Sequence, residues 1–103
     1  MANGILGQVN PTANTNTTLY TVTSGLTGSF TVNFCNQSGS AALISMAVAA
    51  STTPGVTEWI LYNQTLPAYS SVEKAGIVAN AGKNVVVFVS TANVSVAAYG
   101  YEG

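Results

Sequence analysis

The chain has 103 residues; 5% are charged, 48% are hydrophobic, none is His, and the net charge at neutral pH is −1. The length predicts one domain, and the apolar fraction excludes a disordered segment. So few charges exclude a basic field for nucleic acid or for an anionic membrane surface. With no His, a Ser or Cys nucleophile lacks its usual base.

Val, Thr and Ala dominate, while Glu, Lys, Arg and Leu are scarce. Branched side chains suit a pleated surface, so composition predicts strands. Residues 1–16 differ from the rest. Ile5, Leu6 and Val9 form a small apolar cluster, followed by the polar run Asn10–Asn16. This reads as an N-terminal arm whose apolar tip docks on its own domain or on a neighbour. The segment has no basic start and no long apolar run, which argues against a signal peptide and for synthesis in a cytoplasm.

From Thr17 onward the chain reads as short strands between turns. Thr17–Val22 is the first. Ser29–Asn36 alternates, with Phe30, Val32 and Phe34 on one face. Ala41–Ala49 follows, with Ile44, Met46 and Val48 on its apolar face. Thr57–Asn63 sets Trp59 and Leu61 opposite Ile60 and Tyr62. Val72–Val78 comes next, and Asn80–Lys83 reads as a hairpin turn. Val85–Val89 is apolar throughout, so both its faces should be covered. Val94–Tyr101 closes the series. Seven or eight strands at such short spacing predict an all-β fold: a single antiparallel β-sandwich over residues 17–103, jelly-roll or Ig-like.

Candidates for chemistry are few. One Cys and three Glu do not make a metal site, so no metal and no cofactor is expected. Cys35 has no cationic neighbour in sequence to activate it and reads as a structural thiol. Glu58 and Glu73 could pair as glycosidase carboxylates, but decorating strand edges fits them better. No catalytic residue is expected, and the chain reads as a non-enzyme. Asn16, Asn36, Asn63 and Asn93 each begin an Asn-x-Ser/Thr triplet, a match that follows from composition.

The aromatics say more. Tyr and Trp suit places half apolar and half wet, and they dominate interface hot spots. Trp59 reads as core; the alternative places it with Tyr62 in a carbohydrate- or host-surface-binding site. Tyr99 and Tyr101 read as interface aromatics, together with Ile5, Leu6 and Val9.

A series of segments carries a resemblance: Ala13–Val22, the strand ending in Cys35-Asn36, Trp59–Tyr62, Leu66-Pro-Ala68, Glu73–Gly76, Ala81–Val87 and Val94–Gly100. In this order it resembles small virion structural proteins of tailed bacteriophages, particularly those of cyanobacterial and marine hosts. The resemblance implies a compact β-sandwich and a structural role. Its leading form is a capsid decoration, or cement, protein on the head surface, made in the host cytoplasm. The implied partners are the major capsid protein or other virion proteins, and further copies of itself in a homo-oligomer, a trimer by preference. A tail, neck or fibre-associated subunit is the alternative.

Overall fold

The computed structural model describes residues 3–103, with the side chain of Asn3 left aside. Eight strands follow one another: β1 (Asn3–Val9), β2 (Thr17–Thr21), β3 (Gly28–Asn36), β4 (Ala42–Ala49), β5 (Trp59–Leu66), β6 (Ser71–Ala79), β7 (Asn84–Val89) and β8 (Val94–Glu102). A short 3-10 turn, Val56–Glu58, precedes β5. The strands form two antiparallel sheets, ordered β1-β8-β3-β6 (sheet A) and β2-β7-β4-β5 (sheet B).

The pairing is nested. β4 pairs with β5, β3 with β6, β2 with β7 and β1 with β8. Cross-pairs β3–β8 and β4–β7 complete the sheets. This is one long hairpin rolled into a double-sheet jelly roll, which decides between the two expected sandwiches. Only the β4–β5 connection stays within a sheet. Asn80–Lys83, expected as a hairpin turn, therefore carries the chain from sheet A to sheet B.

The core lies between the sheets, where period-2 alternation aims one side of each strand. Phe30, Val32 and Phe34 of β3 and Val94, Val96 and Ala98 of β8 meet Ile44 and Met46 of β4 and Val85, Val87 and Val89 of β7. All ten are buried. Val86, on the other side of β7, is also buried, as a strand apolar at every position requires.

The N-terminal segment docks on its own domain. Met1 and Ala2 of the expected arm lie outside the described residues, and β1 is an edge strand of sheet A from Asn3 onward. Residue 16 is therefore no domain boundary. Gly7 makes the fit possible: a Cβ there would stand 2.4 Å from the Leu19 carbonyl oxygen, so only glycine lets β1 lie so close to β2. A bulge between Ile5 and Gly7 divides the apolar cluster. Leu6 and Val9 pack against the core, while Ile5 remains exposed on the outer face. Leu6 and Val9, partly buried, thus spend much of their apolar surface on this chain's own core. The connection to β2 is also fixed, with Pro11 buried and the Asn14 amide donating to the Val89 carbonyl at 2.8 Å.

Hydrogen bonds gather the loops into two ends. At one end Gln37 N–H donates to the Asn93 carbonyl, and Tyr69 N–H to the Ser38 carbonyl. At the other, Val22 pairs with Lys83 and Gly82, and Thr27 with Gly103.

Candidate functional site

Two outer faces present side chains suited to contact. On sheet A, register builds the first. Ile5 stands opposite Tyr99, which stands opposite Thr31. In the next outward row Tyr101 stands opposite Ser29, and Ser29 opposite Val78. Ile5, Val78 and Tyr101 are 58%, 65% and 53% exposed, so three large apolar side chains are left uncovered close together. Tyr99 is half-buried and reaches across β3 to donate its hydroxyl to Glu73. That bond, with lesser contributions from burial and the carboxylate charge, raises the Tyr99 pKa. Farther along, the face turns small and polar, with Asn33, Ala97, Cys35 and Ser95. Of the five residues expected at an interface, the structure brings Ile5, Tyr99 and Tyr101 together.

The second face is the outside of sheet B. Strict alternation would set Trp59 and Tyr62 on opposite faces of β5. Two register shifts against β4, between Ile44 and Met46 and between Met46 and Ala47, break that alternation. Asn63, in the left-handed region at φ 50°, marks the first of them. The Trp59 and Tyr62 rings consequently meet, with centroids 5.4 Å apart and planes at 65°. Trp59 is half-buried on the outer face over Ala47, outside the hydrophobic core, so the core assignment made from sequence does not hold. Leu61 is the β5 residue that packs inward there.

The other chemical candidates are dispersed. Glu58 accepts from Gly55 N–H at 2.7 Å and Ala50 N–H at 3.1 Å, tying down the β4–β5 connection. Those two bonds, Gly55 first, lower its pKa. Glu73 sits on sheet A and takes the Tyr99 hydroxyl, so the two carboxylates do not converge. Among the described residues no three His, Cys, Asp or Glu come together. Cys35 is half-buried on the outer face of sheet A, between Ser71 and Ser95.

Two polar ties were missed from sequence. Asn36, 1% exposed, donates its amide to the carbonyls of Ser40, Leu66 and Pro67 and accepts from Ser38. Its burial leaves that Asn-x-Ser triplet inaccessible in the folded chain. Glu102, 3% exposed, accepts from the Tyr20 hydroxyl and from the Thr23 amide and hydroxyl, the latter two at 2.9 Å. It pins the end of sheet A to sheet B. The Tyr20 bond first, then the Thr23 amide, lowers the Glu102 pKa. Burial and the Glu102 bond raise that of Tyr20. The signal was present: Asn36 and Glu102 each continue the inward row of their strand at the i+2 position.

The fold and these faces define a charge-poor jelly roll with two aromatic outer surfaces. Comparison with protein-family models, with curated proteins and with solved structures gives no match to this chain.

Proposed function

We propose that the chain is a bacteriophage virion structural protein, a decoration protein that binds the assembled head and stabilises it without covalent bonds. The observation that carries this reading is the outer face of sheet A, where Ile5, Val78 and Tyr101 lie exposed beside Tyr99 and Glu73 supplies the charge. Interface cores favour such aromatic, charge-depleted surface. The sequence resemblance points the same way. Docking runs through this sheet face rather than through an N-terminal arm.

The energetics favour many copies. About half of each exposed side chain remains to be buried, so each of the three contributes on the order of 1 kcal/mol. Lost translational and rotational freedom offsets that gain for a single copy. A homo-oligomer, such as a trimer, meeting several lattice points converts weak contacts into useful avidity. A ligand that binds only the assembled lattice stabilises it by mass action.

The test is co-sedimentation of purified protein with undecorated heads. Tyr101→Ala and Ile5→Ser should bind poorly with unchanged melting temperature, while Tyr69→Ala, at an exposed loop, should bind as the parent does. Binding should change little between dilute and molar salt, because few charges are available to screen. Copy number per particle on the scale of the lattice supports the head; a few copies per particle support the tail, neck or fibre alternative. No binding to any virion component would refute the reading.

A further inference from the structure

The outer face of sheet B holds a groove that the virion reading does not use. Asn16, Ser45, Trp59, Tyr62, Asn63 and Phe88 line a hollow of ≈ 210 Å³. A second hollow, ≈ 430 Å³, opens over Val56, Trp59 and Tyr62. The aromatic pair is shared, so Trp59 and Tyr62 form a ridge between two adjoining depressions.

The lining has three properties together. It contains no charged residue. It offers broad apolar faces, with Tyr62 67% exposed and Val56 94% exposed. And its polar groups are unspent: among the described residues the Asn16 and Asn63 carboxamides, the Tyr62 hydroxyl and the Trp59 indole N–H have no hydrogen-bond partner within the chain. Ser45 Oγ, by contrast, accepts from the Asn63 amide at 2.9 Å and holds the left-handed turn that sets Asn63 beside the aromatic pair.

We propose that this groove binds a neutral oligosaccharide, one sugar in each hollow with the chain crossing the Trp59–Tyr62 ridge. A pyranose has an apolar C–H face to lie on the rings and hydroxyls to pair with the carboxamides. An aliphatic protein segment would bury those four polar groups unpaired, at a cost. A phosphate- or sulfate-bearing ligand would find no cation among the lining residues. The proposal is independent of the virion reading, because the two faces lie on opposite sides of the sandwich and can be occupied at once.

Trp59 is the only tryptophan of the chain, so its fluorescence reports on this groove directly. The experiment titrates the full chain with maltotriose, cellotriose, chitotriose and, as charged comparator, a sulfated heparin disaccharide. At least one neutral trisaccharide should shift or quench Trp59 emission with a dissociation constant on the order of 1 mM, as expected for few contacts. Tyr62→Ala should weaken that binding about tenfold or more. Asn63→Gly, which keeps the left-handed backbone and removes only the carboxamide, should do the same. Both variants should melt as the parent does. The proposal is overturned if no neutral sugar perturbs Trp59, if the sulfated sugar binds equally well, or if both folded variants bind like the parent. None of these results depends on binding to heads.

Discussion

Gly100 offers a sharp test of how closely β8 lies against β3. It stands opposite Phe30 with φ at 155°. A Cβ there would lie 2.2 Å from the Ser29 carbonyl oxygen and 2.6 Å from the Phe30 Cα, whereas carbon atoms in contact sit about 3.5–4.0 Å apart. Both obstacles are backbone, so no side-chain rotation relieves them and β8 itself must move by on the order of 1 Å. That movement disturbs Phe30, 3% exposed, whose ring meets Tyr20 edge-on at 5.6 Å. Overpacking costs about 1–3 kcal/mol, and the unfavourable φ adds about 1–3 kcal/mol. Gly100→Ala should therefore lower the melting temperature by at least about 10 °C, taking 4–8 °C per kcal/mol for a domain of this size. Gly25→Ala is the control. Gly25 also has positive φ, at 82°, but a Cβ there meets nothing within 4 Å, so it carries only the backbone penalty. Calorimetry of the two variants beside the parent isolates the collision. Equal melting temperatures for the two variants would refute the close apposition of β8 and β3.

Other expectations follow from the core and its ties. Phe34 is fully buried between Val96 and Val72 in register; Phe34→Ala should cost about 3–5 kcal/mol in chemical denaturation. Because the Glu102 pKa is lowered from 4.5 in the folded state, its contribution is present above pH 4.5 and is lost as pH falls through the lowered value. Because the Tyr20 pKa is raised from 10.0, its contribution is full below pH 10.0 and is lost as pH rises beyond it. Melting curves across pH should show both limbs, and Tyr20→Phe should abolish the alkaline limb that Tyr20 contributes. Deleting residues 2–12 removes β1 with Leu6 and Val9, so the remainder should lose its cooperative melt or melt far lower; an unchanged transition would show that β1 is dispensable.

Alternation made much of the fold legible. The row Phe30, Val32, Phe34 and the row Val94, Val96, Ala98 are core in the structure as they are in the pattern, because a sandwich strand must bury every second residue. The same rule extended one step would have reached Asn36, and extended two steps, through Gly100, would have reached Glu102; their polarity hid them, although a polar residue closing an inward row needs partners and therefore ties loops or sheets together. Bulges defeated the rule elsewhere. In β1 the extra residue turns Leu6 inward and leaves Ile5 out, so the cluster looked like an arm instead of a strand. In β5 the shifts bring Trp59 beside Tyr62, a meeting that period-2 reading forbids. Strand order was beyond local reading, because Asn80–Lys83 has the residues of a hairpin turn and only distant pairing decides that it crosses between sheets.

The nested pairing also sets the order in which this chain can assemble. Only β4 and β5 are neighbours in both sequence and sheet, so they are the pair that closes at least entropic cost. Once they meet, β3 and β6 are drawn within reach, then β2 and β7, and last Asn3 finds Tyr101. Each step closes a short loop where direct closure would span nearly the whole chain, so zipping outward from the middle is the order of least closure entropy. Such topology still folds slowly, in milliseconds to seconds, because its contacts are non-local. During synthesis β1 waits, unpaired, until β8 has been made. Its glycines and bulge suit that wait: Gly4 and Gly7 weaken its hold on any wrong partner strand, until the backbone at Leu19, which Gly7 approaches closely, is in place.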